Sequence, residues 1–306
     1  MSKRLIDCTA SEMLSLDRDA LLQSIAASEG RTIVCETIGA IPPMLGDTTN
    51  AEFAASQGAD IILLNLFDVQ NPQIQGLPAC APEDTIRALK KLTGRPVGIN
   101  LEPVGGDAPA AEPMWNMTEG RRATAENAVR AADMGADMIL LTGNPGIGVS
   151  NAAILETLRV LCERVGHRIV LAAGKMHAAG VPSEGGPRIM TEADAEAFLD
   201  AGADIILLPA PGTVPGWTTE CARALIGAVH AKNALAMTAV GTSQEGADTA
   251  TIRQIALMSK MAGADIHHLG DAGYAGMALP ENIFAYSVAV RGVRHTYRRM
   301  ARSVNR

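Results

Sequence analysis

The chain has 306 residues, of which 47% are hydrophobic and only 3% are aromatic, and its formal net charge is −7 at pH 7. The apolar fraction excludes a disordered or fibrous protein, and the length excludes a small domain stapled by disulfides. The negative charge gives a nucleic-acid backbone no general electrostatic attraction, so we expect a small-molecule partner and no nucleic acid.

One short pattern recurs four times along the chain. It reads Gly-Ala-Asp followed by apolar residues, and it begins at Gly58, Gly135, Gly202 and Gly263. Glycine tolerates the left-handed conformation at a helix C-terminus, and the apolar run after the aspartate is typical of a strand. Each copy therefore predicts a helix-to-strand junction. We interpret the repeat aspartates as turn and cap residues rather than catalysts, and these are Asp60, Asp137, Asp204 and Asp265.

Four further apolar runs lie between the copies, and the two sets together predict eight strands, at 32–37, 60–65, 96–101, 137–142, 168–173, 204–208, 234–240 and 265–269. Amphipathic windows predict the helices between them, at 49–57, 83–93, 119–134, 151–165, 191–201, 218–231 and 247–262. Thr118 and Thr191 are expected to begin two of these helices as N-caps. Another helix (10–28) precedes the first strand, and a long one (280–302) follows the last, with Pro280 in its first turn.

Strict alternation of apolar strands with helices predicts a parallel sheet covered by helices. Eight such units indicate a (β/α)8 TIM barrel with an extra N-terminal helix and a long C-terminal helix, as a single domain over 1–306. The alternative is an open doubly wound sheet, but no strand is followed by the GxGxxG pattern that is typical of that fold.

In TIM barrels the chemistry lies where the strands end. The acids predicted there are Glu36, Glu102 and Asp271, and a few carboxylates with water and substrate oxygens suit Mg²⁺. The same acids could instead anchor loops. Further polar residues at predicted strand ends are Asn65, Asp68, Thr142 and Glu245.

Lys175 is, of the six lysines, the one at the predicted mouth of the barrel. Its ammonium group could pair with a substrate anion, or attack a carbonyl as a Schiff-base nucleophile if burial lowered its pKa. The alternative is a solvated loop lysine. His177, two residues later, could transfer protons near neutral pH. With Glu102, these two residues form the predicted catalytic set.

Glycine and other small residues follow the last two predicted strands, and this pattern indicates a binding site for phosphate or carboxylate. Backbone N–H groups after strands seven and eight often bind anions in such barrels, although any tight turn also requires glycine. The predicted substrate-binding residues are Gly241, Thr242, Ser243, Gly270 and Gly273, joined by Asn100 and Asn144 at other strand ends. One of His267 and His268 should point into the barrel, and the sequence leaves open which.

The last helix is rich in arginine, with six arginines and one acid from residue 281 onward. We expect these arginines to form a solvated or subunit-contacting face in a homo-oligomer. The five cysteines are scattered and form no CxxC pair, which fits a reducing cytoplasm. Because no stretch approaches the roughly 18 apolar residues of a membrane span, we expect no membrane contact.

The start of the chain resembles the phosphoenolpyruvate mutase and isocitrate lyase superfamily. The resemblance lies in the predicted helix, then Ser28-Glu-Gly-Arg-Thr-Ile-Val-Cys-Glu-Thr, a helix and Gly58-Ala-Asp-Ile-Ile-Leu-Leu. It implies a barrel that uses Mg²⁺ to hold an enolpyruvate-like or 2-oxo acid and makes or breaks C–C or C–P bonds. Three motifs of the superfamily are absent: Ile41-Pro-Pro-Met replaces Asp-Ala-Leu-Ser, Asn100-Leu-Glu102 replaces Asp-x-Asp-x-Gly, and Lys175-Met-His177 lacks the cysteine of Lys-Cys-Gly-His.

These features predict a phosphonomutase-like or lyase-like enzyme that acts on a small anionic 2-oxo acid or phosphorylated substrate. In this hypothesis Glu102 and Asp271 hold Mg²⁺, Lys175 contacts the substrate anion, His177 moves a proton, and the segment 270–276 binds the anionic end. Two alternatives stay open. One is a metal-independent aldolase with Lys175 as Schiff-base nucleophile, and the other is a ligand-sensing barrel without catalysis.

Overall fold

Eight parallel strands close into a barrel in sequence order, in a computed structural model that describes residues 2–104, 117–143, 148–178 and 185–306. Each strand pairs with its sequence neighbours, and the last pairs with the first. The strands are β1 (Thr32–Ile38), β2 (Ile61–Asn65), β3 (Val97–Leu101), β4 (Met138–Leu141), β5 (Val170–Gly174), β6 (Ile205–Pro209), β7 (Leu235–Val240) and β8 (Ile266–Leu269).

A helix follows each strand and covers the outside of the barrel, so the predicted TIM barrel is confirmed. No helix of the described ranges is both long and apolar enough to cross a membrane. The α-helices are α1 (Ala10–Leu14), α2 (Arg18–Ala27), α3 (Asn50–Ser56), α4 (Thr85–Thr93), α5 (Ala125–Asp133), α6 (Asn151–Val165), α7 (Glu192–Asp200), α8 (Thr219–Ala231), α9 (Thr249–Ala262) and α10 (Pro280–Ala301).

Two predicted helices differ from the observed ones. The expected helix over 10–28 is two helices, because Asp17 accepts a hydrogen bond from the Ala20 N–H and starts a new helix at Arg18. The expected helix over 119–134 begins only at Ala125, where Thr124 is the N-cap, while residues 119–121 form a separate 3-10 turn. Thr118 therefore makes no capping bond, whereas Thr191 caps α7 as predicted.

The side chains of each strand alternate between the barrel interior and the helical layer. Interior residues such as Val34, Leu63 and Met237 pack with Leu5 and Ile25 from the N-terminal segment. The N-terminal helices therefore close the end of the barrel where the strands begin. This leaves the opposite end open for a site.

The four repeat aspartates lie where strands begin, and each joins two neighbouring strands. Each also pairs with a basic side chain: Asp60 with Arg291 and Arg299, Asp137 with Lys90, Asp204 with Arg18, and Asp265 with His230. Their carboxylates accept hydrogen bonds of 2.8 to 3.0 Å from the backbone N–H groups of Ile33, Val97, Leu171 and Ala236. As predicted, these aspartates lie at strand beginnings and do not line the cavity at the open end of the barrel, and their bonds join neighbouring strands.

The arginines of α10 form the expected solvated face only in part, since Arg294 and Arg298 are exposed whereas two others are buried. Arg291 and Arg299 are buried and donate to the two oxygens of Asp60, at 2.5 and 2.6 Å. Gly292 breaks the helix with φ of 73°, a conformation that favours glycine. The break lies directly after Arg291. The C-terminal helix is thus held to the closed end of the barrel by a buried ion cluster.

Candidate active site

A cavity of about 360 Å³ lies at the end of the barrel where the strands finish. Ten of the sequence-predicted site residues line it: Glu36, Asn100, Glu102, His177, Gly241, Thr242, Ser243, Gly270, Asp271 and Gly273. They are joined by Asn65, Thr142, Glu245 and His268 from strand ends, and by Arg121 and Met176. The predicted Asn144 lies outside the described residues. The closed barrel therefore brings most of the predicted site together.

Glu36 of β1 and Asp271 after β8 form a carboxyl pair within this cavity. Burial raises the pKa of Glu36 to about 7, and burial with the neighbouring Glu36 raises the pKa of Asp271 to about 7. The two carboxyl groups are close enough to act on each other's pKa, and the mutual repulsion of two carboxylates favours a proton on one of them. Asn65 of β2 donates from Nδ2 to Asp271 Oδ2 at 2.8 Å and orients it.

His268 is the inward-facing member of the histidine pair and supports Glu36 from the other side. Its Nε2 lies 2.9 Å from Glu36 Oε2. Burial lowers the pKa of His268 to about 4, so the ring is neutral and Nε2–H is the donor. The Nδ1 atom is buried and has no hydrogen-bond partner among the described residues. Burial also raises the pKa of Glu245, the third acid on this side of the cavity.

His267 points outward, to the helical layer. Its Nδ1 lies 3.1 Å from the Tyr286 hydroxyl, and its Nε2 lies 3.1 Å from the Gly30 carbonyl oxygen. A carbonyl only accepts, so Nε2 carries the hydrogen and Nδ1 accepts from Tyr286. Burial lowers the pKa of His267 to about 4, and the nearby cations Lys260 and Arg291 lower it further. His267 is therefore a structural histidine.

The pH dependence of stability should reveal this buried neutral ring. The unfolded chain protonates His267 near pH 6.5, whereas the folded protein resists protonation down to about pH 4. The wild type should therefore lose about 3 kcal/mol from this residue as the pH falls between these values. We expect His267→Gln to be less stable than the wild type at neutral pH. The difference in unfolding free energy between the two proteins should shrink by about 3 kcal/mol near pH 4.

Urea unfolding of both proteins at each pH measures this difference in unfolding free energy. The contributions of all other titrating groups are the same in both proteins and cancel. A constant difference in stability would show that His267 takes up a proton as readily in the folded protein as in the unfolded chain.

The opposite side of the cavity, at β3 and β4, is held by a buried ion pair. Glu102 follows β3, and its Oε1 accepts from Arg121 Nη2 at 2.5 Å. Both side chains are buried. The pair is also fixed through the backbone, since the Glu102 N–H donates to the Arg121 carbonyl oxygen at 3.0 Å. Burial raises the pKa of Glu102, and the Arg121 guanidinium paired with it opposes this rise.

Lys175 is placed differently from the prediction. It follows β5 and is buried, yet it does not line the cavity. The next two residues, Met176 and His177, both line the cavity. His177 does line the cavity, makes no hydrogen bond to a described residue, and has its pKa lowered by burial.

Several donors of the predicted anion site after β7 and β8 already form hydrogen bonds within the protein. The Gly270 N–H donates to the Val240 carbonyl oxygen at 2.9 Å, and the Gly273 N–H donates to Asp271 Oδ1 at 2.8 Å. Thr242 uses its hydroxyl on the Thr213 carbonyl oxygen. These glycines therefore shape the turns, and the acids beside them make this side of the cavity unfavourable for a bare anion.

Backbone strain is concentrated around the cavity. Among the described residues, six non-glycine residues have positive φ, and three of these line the cavity just after strand ends: Leu66, Thr242 and Ser243. A β-branched residue such as Thr242 rarely adopts this conformation. Strain of this kind is typical of functional sites, where the surrounding fold holds residues in unfavourable positions.

The predicted magnesium ligands fit only in part. In the part of the chain that the structure describes, no three His, Cys, Asp or Glu side chains form a metal-binding group. Glu102 gives one oxygen to Arg121, which leaves it poorly suited to a cation. Glu36 and Asp271 fit better, because two carboxylates with waters and substrate oxygens suffice for Mg²⁺. Their bonds from His268 and Asn65 are of the kind that orients metal ligands.

Arg121 was missed by the sequence analysis because it lay inside the predicted helix over 119–134. Gly120 was the available signal, since glycine interrupts helices. A Cβ atom on Gly120 would lie 1.7 Å from Asp68 Oδ1, so the chain can make this turn only with glycine. The turn carries Arg121 into the cavity beside Glu102.

A family model described as a domain of unknown function, DUF7916, matches residues 6–306. The chain belongs to this family. No curated protein matches it. The family description assigns no activity, so the function has to be argued from the cavity.

Solved structures share the barrel at low sequence identity. The carboxyl transferase domain of pyruvate carboxylase from Rhizobium etli is 12% identical with a TM-score of 0.56, over 97% of this chain and 53% of that chain. A 2,3-dimethylmalate lyase of the PEP mutase/isocitrate lyase superfamily is 16% identical, with a TM-score of 0.48, over 84% of this chain and 82% of that one. Thiamine phosphate pyrophosphorylase from Pyrococcus furiosus is 12% identical, with a TM-score of 0.48, over 86% and 97%. At these identities the likeness establishes the fold alone.

Proposed function

We propose that this protein is a lyase-like enzyme that makes or breaks a bond next to the carbonyl group of a small anionic 2-oxo acid, with Mg²⁺ bound by Glu36 and Asp271. The observation that carries the proposal is the oriented carboxyl pair. Two buried, neighbouring carboxyl groups whose pKa values are raised offer a divalent cation two oxygen ligands, and the cation would take the place of a bound proton.

The neighbours of the pair support this assignment. His268 donates to Glu36 and Asn65 donates to Asp271, so each carboxylate has one oxygen fixed by a hydrogen bond. Such bonds hold ligands in place and keep the ligand set ready for the ion. Bound there, Mg²⁺ would polarise the substrate carbonyl and balance the charge of an oxo acid.

His177 is the residue best suited to move a proton. Its ring lines the same cavity, and burial keeps it neutral at physiological pH. A neutral imidazole without a competing hydrogen bond can accept a proton from the substrate and return it. Lys175 has no part in this proposal because its side chain does not line the cavity.

Thermal unfolding with Mg²⁺ and oxalate tests the proposal. Oxalate resembles the planar enolate of a 2-oxo acid and presents two oxygens to one ion. At one hundred times the dissociation constant, binding stabilises the fold by about 2.7 kcal/mol. We therefore expect the midpoint to rise by roughly 5 °C with both ligands, and by less with either alone. The absence of any shift with both present would contradict the proposal.

A further inference from the structure

Three oxygen atoms on the β3–β4 side of the cavity are buried without a hydrogen-bond partner among the described residues. They are Asn100 Oδ1, Glu102 Oε2 and Thr142 Oγ1, and we call them the acceptor group. Their residues are 6%, 3% and 6% exposed, and all three line the cavity. A buried acceptor without a donor costs about 1–3 kcal/mol. Three together indicate that a ligand supplies the donors.

The orientation of Asn100 follows from its neighbours. The Leu66 N–H donates to Asn65 Oδ1 at 2.9 Å, which identifies that atom as the oxygen of the Asn65 amide. Asn100 lies 3.1 Å from the same oxygen and must therefore present its Nδ2 to it. The Asn100 carbonyl oxygen consequently points away from Asn65. The N–H group that orients Asn65 belongs to Leu66, whose backbone is strained with φ of 54°.

Glu102 and Thr142 complete the group from adjoining strands. Glu102 directly follows β3 and Thr142 directly follows β4, and the register pairs Leu101 with Leu141. The residues that come next, Glu102 and Thr142, therefore lie side by side. Glu102 uses Oε1 for its ion pair with Arg121, which leaves Oε2 as the second oxygen of that carboxylate. The site thus offers a carboxylate oxygen, an amide oxygen and a hydroxyl.

The charge of this region selects a neutral donor over a cation. The guanidinium of Arg121 balances Glu102 and would repel a cation placed beside it. An ammonium group or metal ion is better received by the acids at Glu36 and Asp271, across the cavity. Hydroxyl groups satisfy acceptors without bringing charge, and adjacent hydroxyls match adjacent oxygens.

We propose that Asn100, Glu102 and Thr142 form a subsite for a polyhydroxylated carbon chain, so that the substrate is a sugar-acid-like molecule rather than a plain oxo acid. This inference rests on the proposed function for the acid end of the substrate. The hydroxyl-bearing end binds at the acceptor group. The cavity, at about 360 Å³, accommodates a small molecule of this kind.

Calorimetric titration with two matched acids tests the subsite. Erythronate has a four-carbon chain with hydroxyls, and butanoate has the same chain without them. In the presence of Mg²⁺ we expect erythronate to bind at least about 10-fold more tightly, since one hydrogen bond to an ionised group gives 1.5–3 kcal/mol. Equal affinity, or no binding of erythronate at millimolar concentration, overturns the inference.

Variants at Thr142 assign the difference to the acceptor group. We expect Thr142→Val to weaken erythronate by about 5- to 10-fold and leave butanoate unchanged, and Thr142→Ser to restore erythronate binding. Equal weakening of both acids by Thr142→Val overturns the inference. Circular dichroism and the unfolding midpoint show whether each variant is folded, and Asn100→Leu replaces Thr142→Val if that variant is not.

The oxalate experiment separates this inference from the proposed function. If oxalate binds with Mg²⁺ but erythronate and butanoate bind alike, the subsite is wrong and the enzyme proposal stands. If oxalate gives no shift while erythronate binds better through Thr142, the subsite stands and the magnesium-dependent function is wrong.

Discussion

Asp60→Asn is expected to lower the unfolding free energy by about 3–5 kcal/mol, because it leaves buried positive charges without a counter-charge. Asp60 is fully buried and takes hydrogen bonds from Arg291 at 2.5 Å and Arg299 at 2.6 Å. The guanidinium groups lower the pKa of the Asp60 carboxyl against the opposing effect of burial. Asparagine keeps an oxygen for the Ile33 N–H but cannot neutralise two arginines. Urea-induced unfolding measures the loss.

Asp265→Asn is the matched control within the same repeat. Asp265 also accepts a backbone bond, here from Ala236, but its partner His230 is 42% exposed. We expect a loss of about 1 kcal/mol or less, since a solvated partner is not stranded by the change. Equal losses of unfolding free energy at both positions would mean that the two buried arginines do not need the negative charge of Asp60. If Asp60→Asn does not fold, Arg299→Met gives a graded test, because Asp60 then keeps Arg291.

Glu36→Gln should abolish the stabilisation by Mg²⁺ and oxalate while leaving the protein folded. The amide is neutral, so only Asp271 would remain to hold the ion. The amide oxygen introduced at position 36 can still accept a hydrogen bond from His268 Nε2. The change also removes a carboxyl whose pKa burial has raised, so we expect the ligand-free variant to be at least as stable as the wild type above pH 7. Scanning fluorimetry with and without ligands measures both effects.

Glu119→Gln controls for the loss of a glutamate elsewhere. Its side chain is 75% exposed and pairs only with Arg122 among the described residues. We expect the full shift of roughly 5 °C to persist in this variant. Retention of the shift by Glu36→Gln would exclude Glu36 as a ligand, and its loss in both variants would point to a general electrostatic effect.

Much of the fold was accessible from local sequence patterns. The four Gly-Ala-Asp repeats carry their own helix end and strand start, and their aspartates lie at strand beginnings as expected. The residues after the apolar runs, such as Glu36, Asn100 and Asp271, meet at one cavity because parallel strands all end at one face. These features depend on the chain direction and on the order of apolar residues.

The sequence could not decide the site at positions where a shift of one residue changes the direction of a side chain. Lys175 and Met176 are neighbours after β5, and Met176 lines the cavity whereas Lys175 does not. His267 and His268 differ in the same way, and only the pairing of β8 with β1 assigns the second to the interior. Side chains of a strand alternate between its two faces, but without the pairing register the sequence does not show which set faces the interior.

The sequence by itself determined the order of strands and helices, the closed parallel barrel and the end at which polar residues gather, because each depends on local pattern and chain direction. The tertiary structure decided which of these residues touch. Asn65 meets Asp271 across 206 positions of sequence, and Asp60 meets Arg299 across 239. Such contacts form because closing the barrel brings the last strand and the C-terminal helix back to the first two strands, and local patterns do not specify which side chains then meet.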